Sequence, residues 1–295
     1  MSITPPPAPP SPPKKARKPP FPFPWLVIIP AFALVVTFLA FTPRDLIVYA
    51  GNWLLAKPYM VGYAVCHQIP SHSFIIGDRA LPLCARCTGT FMGALVGFFG
   101  QAVVLRRKRV SEFPPPLILV VLVLFTMLWA GDGLNSYMGT IVRGPHLYRP
   151  LHELRLLTGA LNGLTMSALV WPAFNVTLWR HPVPEPNIRG LRDLGVLVLL
   201  ELSMVGLVLL AVYAQWDWLL YPLAWLGALG VLALLTSVNT LLVLIVIQRE
   251  NVVERWRDAL VPLVVGFAVG MVQVSLIGAV RYTFTGTFLG LPLFG

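Results

Sequence analysis

The sequence is poor in charged residues, and acidic residues are the scarcer kind. Charged side chains make up 12% of the 295 residues, with 12 acidic against 22 basic ones. A soluble globular chain carries about 25% charged residues, so this deficit argues against a protein whose whole surface faces water. The 57% share of hydrophobic residues instead indicates an integral membrane protein, with the lipid bilayer as its first partner.

Cysteine is scarce as well, and this excludes a disulfide-rich scaffold. The chain has three cysteines, and an odd number cannot pair completely. All three fall between Cys66 and Cys87, so a single local site is the better explanation of their presence.

The excess of basic residues gives a net charge of +10 and a pI near 10. In a soluble protein, that charge would suggest a nucleic-acid partner. Here the basic residues form short clusters between apolar runs, such as those at 14–18 and 106–109. Such clusters are typical of topology signals at a membrane surface, and no nucleic acid is expected as a partner.

The apolar runs predict an all-α fold, a polytopic transmembrane helical bundle. A spanning helix needs about 20 mostly apolar residues. About seven runs approach that length, at 25–42, 88–105, 116–131, 154–174, 193–214, 219–247 and 259–280. The apolar stretch 46–65 is interrupted by Asn52, Lys57 and Pro58, and is predicted to be an interfacial or re-entrant segment.

The basic clusters also predict an orientation in the plasma membrane. With a cytoplasmic N-terminus, every predicted inner segment carries at least three basic residues, and the C-terminus lies outside. Three regions are predicted: a disordered Pro/Lys-rich tail at 1–24, a cysteine-bearing module at 25–175 and a three-helix bundle at 176–295. Glycines four residues apart predict close helix packing, and they are Gly89, Gly93, Gly97, Gly159 and Gly163.

The cysteines allow three chemistries. The first is a metal site of Cys66, Cys84 and Cys87 with His67, or with His72 in its place, because sulfur and imidazole suit zinc and also copper. The second is a redox pair, formed either by Cys84 and Cys87 or by Cys66 with one of these two. The predicted start of a helix at this point would favour the thiolate form. The third is packing of small buried thiols.

Other polar residues gather near the same predicted membrane face. Asp132 and Glu153 could orient a metal-binding histidine, but ion pairs with Arg143, Arg149 or Arg155 are the favoured interpretation. Glu201 lies about two turns inside the fifth apolar run, where a charge is costly and often functional.

The cysteine motifs resemble a known family. They are Cys66-His67-Gln68, Ser73-Phe74 and the run 82–89, Pro-Leu-Cys-Ala-Arg-Cys-Thr-Gly, followed by Asp132-Gly133 and the run 154–159. Together they are similar to an uncharacterised prokaryotic membrane-protein family, domain of unknown function 2085, over about residues 60–170. His72 departs from the arginine expected there. The resemblance implies a membrane protein and supplies no activity.

The sequence therefore predicts an integral membrane protein with a Cys/His cluster on its outer face. The expected ligands of a zinc or copper ion are Cys66, His67, Cys84 and Cys87, in a structural or accessory role. Two alternatives stay open. One is an enzyme, a membrane thiol-disulfide oxidoreductase that uses Cys84 and Cys87, and the other is an accessory subunit bound to other membrane-protein subunits.

Overall fold

The fold is a bundle of α-helices in a computed structural model that describes residues 25–142 and 144–288. The tail predicted at 1–24, Arg143 and the last seven residues lie outside the described residues. The helices are α1 Trp25–Ala40, α2 Arg44–Ala50, α3 Trp53–Val65, α4 Ala85–Phe99, α5 Pro116–Tyr137, α6 His152–Leu178, α7 Leu191–Tyr213, α8 Leu220–Val246 and α9 Trp256–Thr285.

Short elements connect these helices. Single π-helical turns extend α4 through Gly100–Val104 and α5 through Met138–Val142. Strands β1 (Ile75–Ile76) and β2 (Arg79–Ala80) pair antiparallel, and strands β3 (Val110–Glu112) and β4 (Val183–Pro186) pair parallel.

The structure confirms an all-α, multi-pass membrane protein. Within the described residues, five helical stretches are long and apolar enough to cross a membrane, namely Ala85–Val104, Pro116–Tyr137, Leu191–Tyr213, Asp217–Val246 and Trp256–Thr285. Two further predicted spans, 25–42 and 154–174, are helical but differ from these five in length or polarity. Helix α6 has 27 residues and many polar side chains, and α1 has 16 residues. Seven therefore stays an approximate number of spans.

The third predicted span, 116–131, is too short, because α5 continues to Tyr137. Hydropathy places the end at Asp132, but the protein itself buries this residue, which is 3% exposed. Its carboxylate pairs with Arg86 of α4 at 2.5 Å. A helix that meets a charged partner inside the bundle needs no apolar residue at that position.

The interrupted stretch 46–65 forms the end of α2 and the whole of α3. The two helices are separated at Gly51, whose φ of 81° only glycine adopts easily. At one end of α3, Asn52 donates to the Tyr221 hydroxyl at the start of α8 (2.6 Å). At the other end, Tyr63 contacts Thr285 at the end of α9. If α8 and α9 both span the membrane, they run antiparallel, so the start of α8 and the end of α9 lie at the same end of the bundle. Helix α3 contacts both and therefore lies across that end, as an interfacial segment would.

Helix α6 lies in the centre of the bundle, with its backbone against that of α4. A Cβ on Gly89 would meet the carbonyl oxygen of Leu156, and one on Gly163 would meet that of Thr90. This contact is the close packing that the glycine spacing predicts. Helix α8 also packs closely against α4, on another side, because a Cβ on Gly230 would meet the carbonyl oxygen of Phe91.

Candidate metal centre

The three cysteines meet at one end of the bundle, which we call the cysteine end. The sulfur atoms of Cys66, Cys84 and Cys87 all lie within 4.8 Å of one another. Cys66 and Cys84 are buried, with 5% and 3% of their surface exposed. The clustering predicted from the sequence is therefore present, although 18 residues separate the first two cysteines.

A tight turn after α3 places the Cys66 sulfur. Gln68 adopts a positive φ of 51°, and this turns its backbone N–H toward Cys66 Sγ at 3.4 Å. The Gln68 side-chain amide then donates to the carbonyls of Tyr59 (3.1 Å) and Pro82 (2.9 Å). The turn is thus tied both to α3 and to the segment that leads into α4.

The first turn of α4 places the other two sulfurs. Cys84 is the N-cap of this helix, and its sulfur accepts the backbone N–H of Cys87 at 3.5 Å. The backbone N–H of Cys84 in turn donates to Cys66 Sγ at 3.3 Å. Unpaired N–H groups at a helix start favour negative charge, so the site is built to hold thiolates.

The pKa values of the thiols at this site differ. Hydrogen bonds from Cys66 and Cys87 lower the pKa of Cys84 well below its usual range, against the opposite effect of burial. Donation to Cys84 raises the pKa of Cys66 to about 12. Of these two thiols, Cys84 is therefore the one whose surroundings favour the thiolate form.

Two histidines stand beside the sulfurs. The His67 ring contributes to the lowered pKa of Cys84, and its Nδ1 accepts the backbone N–H of Ile69 at 3.0 Å. The His72 ring lies edge-on to His67, with 5.3 Å between centroids. Burial, and then the charge of Arg155, lowers the pKa of His72 to about 4, so this imidazole is neutral at neutral pH.

Arg281 contacts the site, and the sequence does not indicate this. It lies in α9, 215 positions from Cys66, and its guanidinium donates to the carbonyls of Tyr63 (2.6 Å), Cys66 (2.5 Å) and His67 (3.0 Å). It also stacks 4.1 Å from the Tyr63 ring. The last helix thereby fixes the backbone that carries Cys66 and His67.

A buried polar network borders the centre on the α5 side. Asp132 accepts from Arg86 and from the Tyr148 hydroxyl at 2.8 Å, and Ser136 accepts from Arg86 and Arg155. The predicted ion pair of Asp132 is thus present, but with Arg86. Glu153 accepts a hydrogen bond from Tyr213 instead of the expected arginine.

Residues 66–169 match the family described as "Predicted membrane protein (DUF2085)". An uncharacterized protein of Methanocaldococcus jannaschii is 32% identical over 117 residues, which cover 39% of this chain and 67% of that protein. The chain belongs to this family. A second relative, an uncharacterized protein of Methanothermobacter thermautotrophicus, is 29% identical over 106 residues, which cover 36% of this chain and 83% of the relative.

No solved structure matches the chain. The region matched to the DUF2085 family contains all three cysteines, and it runs from the Cys66 turn into α6. Arg281 lies outside this region, so the residue that holds the Cys66 backbone belongs to the part of the chain that follows it.

Proposed function

We propose that this integral membrane protein binds one transition-metal ion, zinc or copper, through Cys66, Cys84, Cys87 and His67. The observation that carries the proposal is the convergence of the three sulfur atoms within 4.8 Å. Zinc–thiolate bonds of about 2.3 Å in a tetrahedron separate two sulfurs by about 3.8 Å. Small side-chain rotations are enough to bring the three sulfurs to that spacing.

The hydrogen bonds to the sulfurs support the same proposal. Backbone N–H groups of Gln68 and Cys84 point at Cys66 Sγ, and that of Cys87 points at Cys84 Sγ. Donors of this kind stabilise thiolate over thiol. They also leave the remaining sulfur lone pairs for a cation, which several adjacent thiolates need for charge balance.

The fourth ligand is the histidine whose ring contributes to the lowered pKa of Cys84. His67 Nδ1 accepts from the Ile69 backbone, so in this state the ring proton is on Nε2. Metal binding requires a ring nitrogen without a proton. We infer that a rotation of the ring, which breaks the bond to Ile69, lets His67 coordinate the ion. The His72 ring, whose centroid is 5.3 Å from that of His67, is the alternative ligand.

We assign the ion a structural role. Cys66 follows α3, while Cys84 and Cys87 begin α4, so a shared ion would cross-link two elements that the chain joins only through a long loop. A metal bond between such elements stabilises the folded state directly. Contact with other membrane-protein subunits would make this an accessory role within a complex.

One observation favours a second candidate, a thiol-disulfide oxidoreductase. The lowered pKa of Cys84 is the property of an attacking thiol, and Cys66 and Cys87 both lie within reach of its sulfur. In that case, two of the cysteines would form a reducible disulfide and the histidines would contribute little.

Elemental analysis and a free-thiol count on the purified full-length protein test the proposal. We expect about one zinc or copper ion per chain. Cys66→Ser, Cys84→Ser and Cys87→Ser should each lose most of it, because three remaining ligands hold an ion far more weakly. His67→Ala should lose metal, while His72→Ala should retain it.

The matched serine variants separate the candidates. Unchanged metal content in Cys84→Ser or Cys87→Ser would refute the metal site. A metal-free wild type with one reducible disulfide would favour the oxidoreductase. In that case two of the serine variants should gain one free thiol, and the third should keep the disulfide and have no free thiol.

A further inference from the structure

Glu201 is a buried carboxyl group without a partner. It lies in α7, is 0% exposed, and neither carboxyl oxygen has a hydrogen-bond partner among the described residues. It is ten residues from the start of α7, which at 1.5 Å per residue is about 15 Å into the helix. This depth is close to the middle of a bilayer core about 30 Å thick.

The carboxyl group points at the contact between α4 and α6. A Cβ on Gly93 of α4 would lie 3.0 Å from Glu201 Oε2 and 2.6 Å from the carbonyl oxygen of Ala160 in α6. The glycine therefore makes room for the carboxyl group. The next acidic residue on α7 is Asp193, two turns away, and it pairs with Arg107.

These surroundings suit one ligand, a proton. An ionised carboxylate without a partner in an apolar interior costs several kcal/mol, whereas the protonated acid is tolerated. A metal cation such as Ca²⁺ needs six or more oxygen ligands. Gly93 of α4 and Ala160 of α6 lie beside the carboxyl group and offer no side-chain oxygen, and neither carboxyl oxygen has a hydrogen-bond partner among the described residues.

A polar stripe leads from this carboxyl group along α4, away from the cysteine end. Four residues after Gly93, Gly97 lies against Ser167 of α6, and four residues later Gln101 donates to Ser167 Oγ at 3.4 Å. Asn187 then donates to Gln101 Oε1 at 2.7 Å, and its own Oδ1 is buried without a partner among the described residues. Each step of four residues along a helix is about 6 Å.

We propose that Glu201 is a proton-binding site inside the membrane. It exchanges its proton with water at the end of α4 opposite the cysteines, along the stripe of Ser167, Gln101 and Asn187. Because these side chains are fully buried, exchange requires transient entry of water between them, and the proton leaves the carboxyl oxygen for that water without any other bond being broken. The site does not depend on the metal proposed above.

Infrared spectroscopy of the reconstituted full chain tests the protonation. We expect a carbonyl band of a protonated carboxylic acid at neutral pH, which Glu201→Gln removes. Since glutamine has nearly the shape of the neutral acid, this variant should fold. Glu254→Gln is the control, because Glu254 pairs with Arg180 at 2.8 Å and should contribute no such band. A spectrum that is identical in wild type and Glu201→Gln would overturn the proposal.

The exchange route is tested by the rate at which the same band shifts after dilution into D₂O. Ser167→Ala should slow the shift severalfold. Ser203→Ala should leave the rate unchanged, because Ser203 lies on the exposed side of α7 and donates only within its own helix. Equal rates in these two variants would exclude the stripe as the route.

Modification of the wild type provides a test that needs no variant. A protonated carboxyl group in apolar surroundings adds across the C=N bond of dicyclohexylcarbodiimide, and peptide mass spectrometry locates the adduct. We expect the adduct on Glu201 and none on exposed Glu112. Labelling of Glu112 in preference to Glu201 would contradict a protonated site.

Discussion

The chemistry of the cysteines depends on hydrogen bonds that hold the backbone around them. Gln68 has a positive φ, which a non-glycine residue adopts only where its surroundings compensate. Two side-chain amide bonds from Gln68 and three bonds from Arg281 supply that compensation. The position of Cys66 Sγ therefore depends on the side chains of Gln68 and Arg281, whose hydrogen bonds go to backbone carbonyls around it.

Arg281→Gln should weaken the metal centre without removing a ligand. Loss of partners that orient metal ligands commonly reduces metal affinity about 10–100-fold. We expect a shift in that range, measured by competition with a chelator. Arg192→Gln is the control, because Arg192 is exposed at the start of α7. Equal affinities in the two variants would show that Arg281 does not position the site.

The buried pair of Arg86 and Asp132 yields a second prediction at this scale. Asp132→Leu leaves the guanidinium without its carboxylate and should lower the free energy of unfolding by about 3–5 kcal/mol. The double variant Arg86→Met/Asp132→Leu should recover much of that loss, since no unpaired charge stays buried. Denaturation in mild detergent measures both. A double variant less stable than either single one would contradict this explanation.

The sequence predicts the cysteine trio but not the residues that hold it. Cys84 and Cys87 are one helical turn apart, and Cys66 belongs to a nearby motif, so a common site follows from local spacing. Arg281 reaches Cys66 across 215 positions, and no local pattern marks such a contact. The same holds for Asp132, because its partner Arg86 lies 46 positions away in α4 and no local pattern marks that pair.

At the scale of helices, the contact of α4 with α6 determines how the bundle is packed. Gly89, Gly159 and Gly163 bring backbone against backbone, and a Cβ at any of them would meet a carbonyl oxygen. Small residues let transmembrane helices approach closely enough for dispersion and weak hydrogen bonds to stabilise the pair. This contact also presents the first turn of α4 to the polar end of α6.

Gly163→Ala tests this contact. The added methyl group would meet the Thr90 carbonyl and the Ala94 nitrogen, and overpacking of this kind costs about 1–3 kcal/mol. Gly206→Ala is the matched control in α7, where a Cβ meets nothing within 4 Å. It should be neutral or stabilise by up to about 1 kcal/mol. Melting temperatures that fall equally in both variants would remove the glycine contact as the cause.

Helix identity could be predicted from the sequence better than helix ends. Apolar runs of sufficient length identify α7, α8 and α9 to within a few residues. Hydropathy places the end of α5 too early, because it treats Asp132 as exposed, whereas Arg86 pairs with this residue inside the bundle. Residues 46–65 were predicted as one segment, and Gly51 divides them between two helices.

At the scale of the whole molecule, the connections between helices collect at two opposite ends. At one end, the segments after α4, α6 and α8 meet: β3 pairs with β4, and Trp179 bridges to Val253. At the cysteine end, Gly77 in the β1–β2 turn donates to Gln215 after α7. This division is the one that helices crossing a membrane in alternate directions produce.

The basic residues lie mainly at the end opposite the cysteines. A cavity of about 720 Å³ there is lined by Arg106, Arg107, Lys108, Arg109 and Trp256. Arg180 pairs with Glu254 at the same end. Basic side chains favour the cytoplasmic leaflet, which carries anionic lipids. We therefore infer that this end is cytoplasmic and that the cysteine end faces outward.

Single reporter cysteines at the two ends test this orientation. Asp78→Cys, in the exposed turn between β1 and β2, should react with a membrane-impermeant maleimide on intact cells. Glu250→Cys, exposed between α8 and α9, should react only after lysis. The parent chain is the control for background labelling, since Cys66 and Cys84 are buried but Cys87 is half-buried. Labelling of Glu250→Cys but not Asp78→Cys on intact cells would invert the topology and place the cysteine end in the cytoplasm.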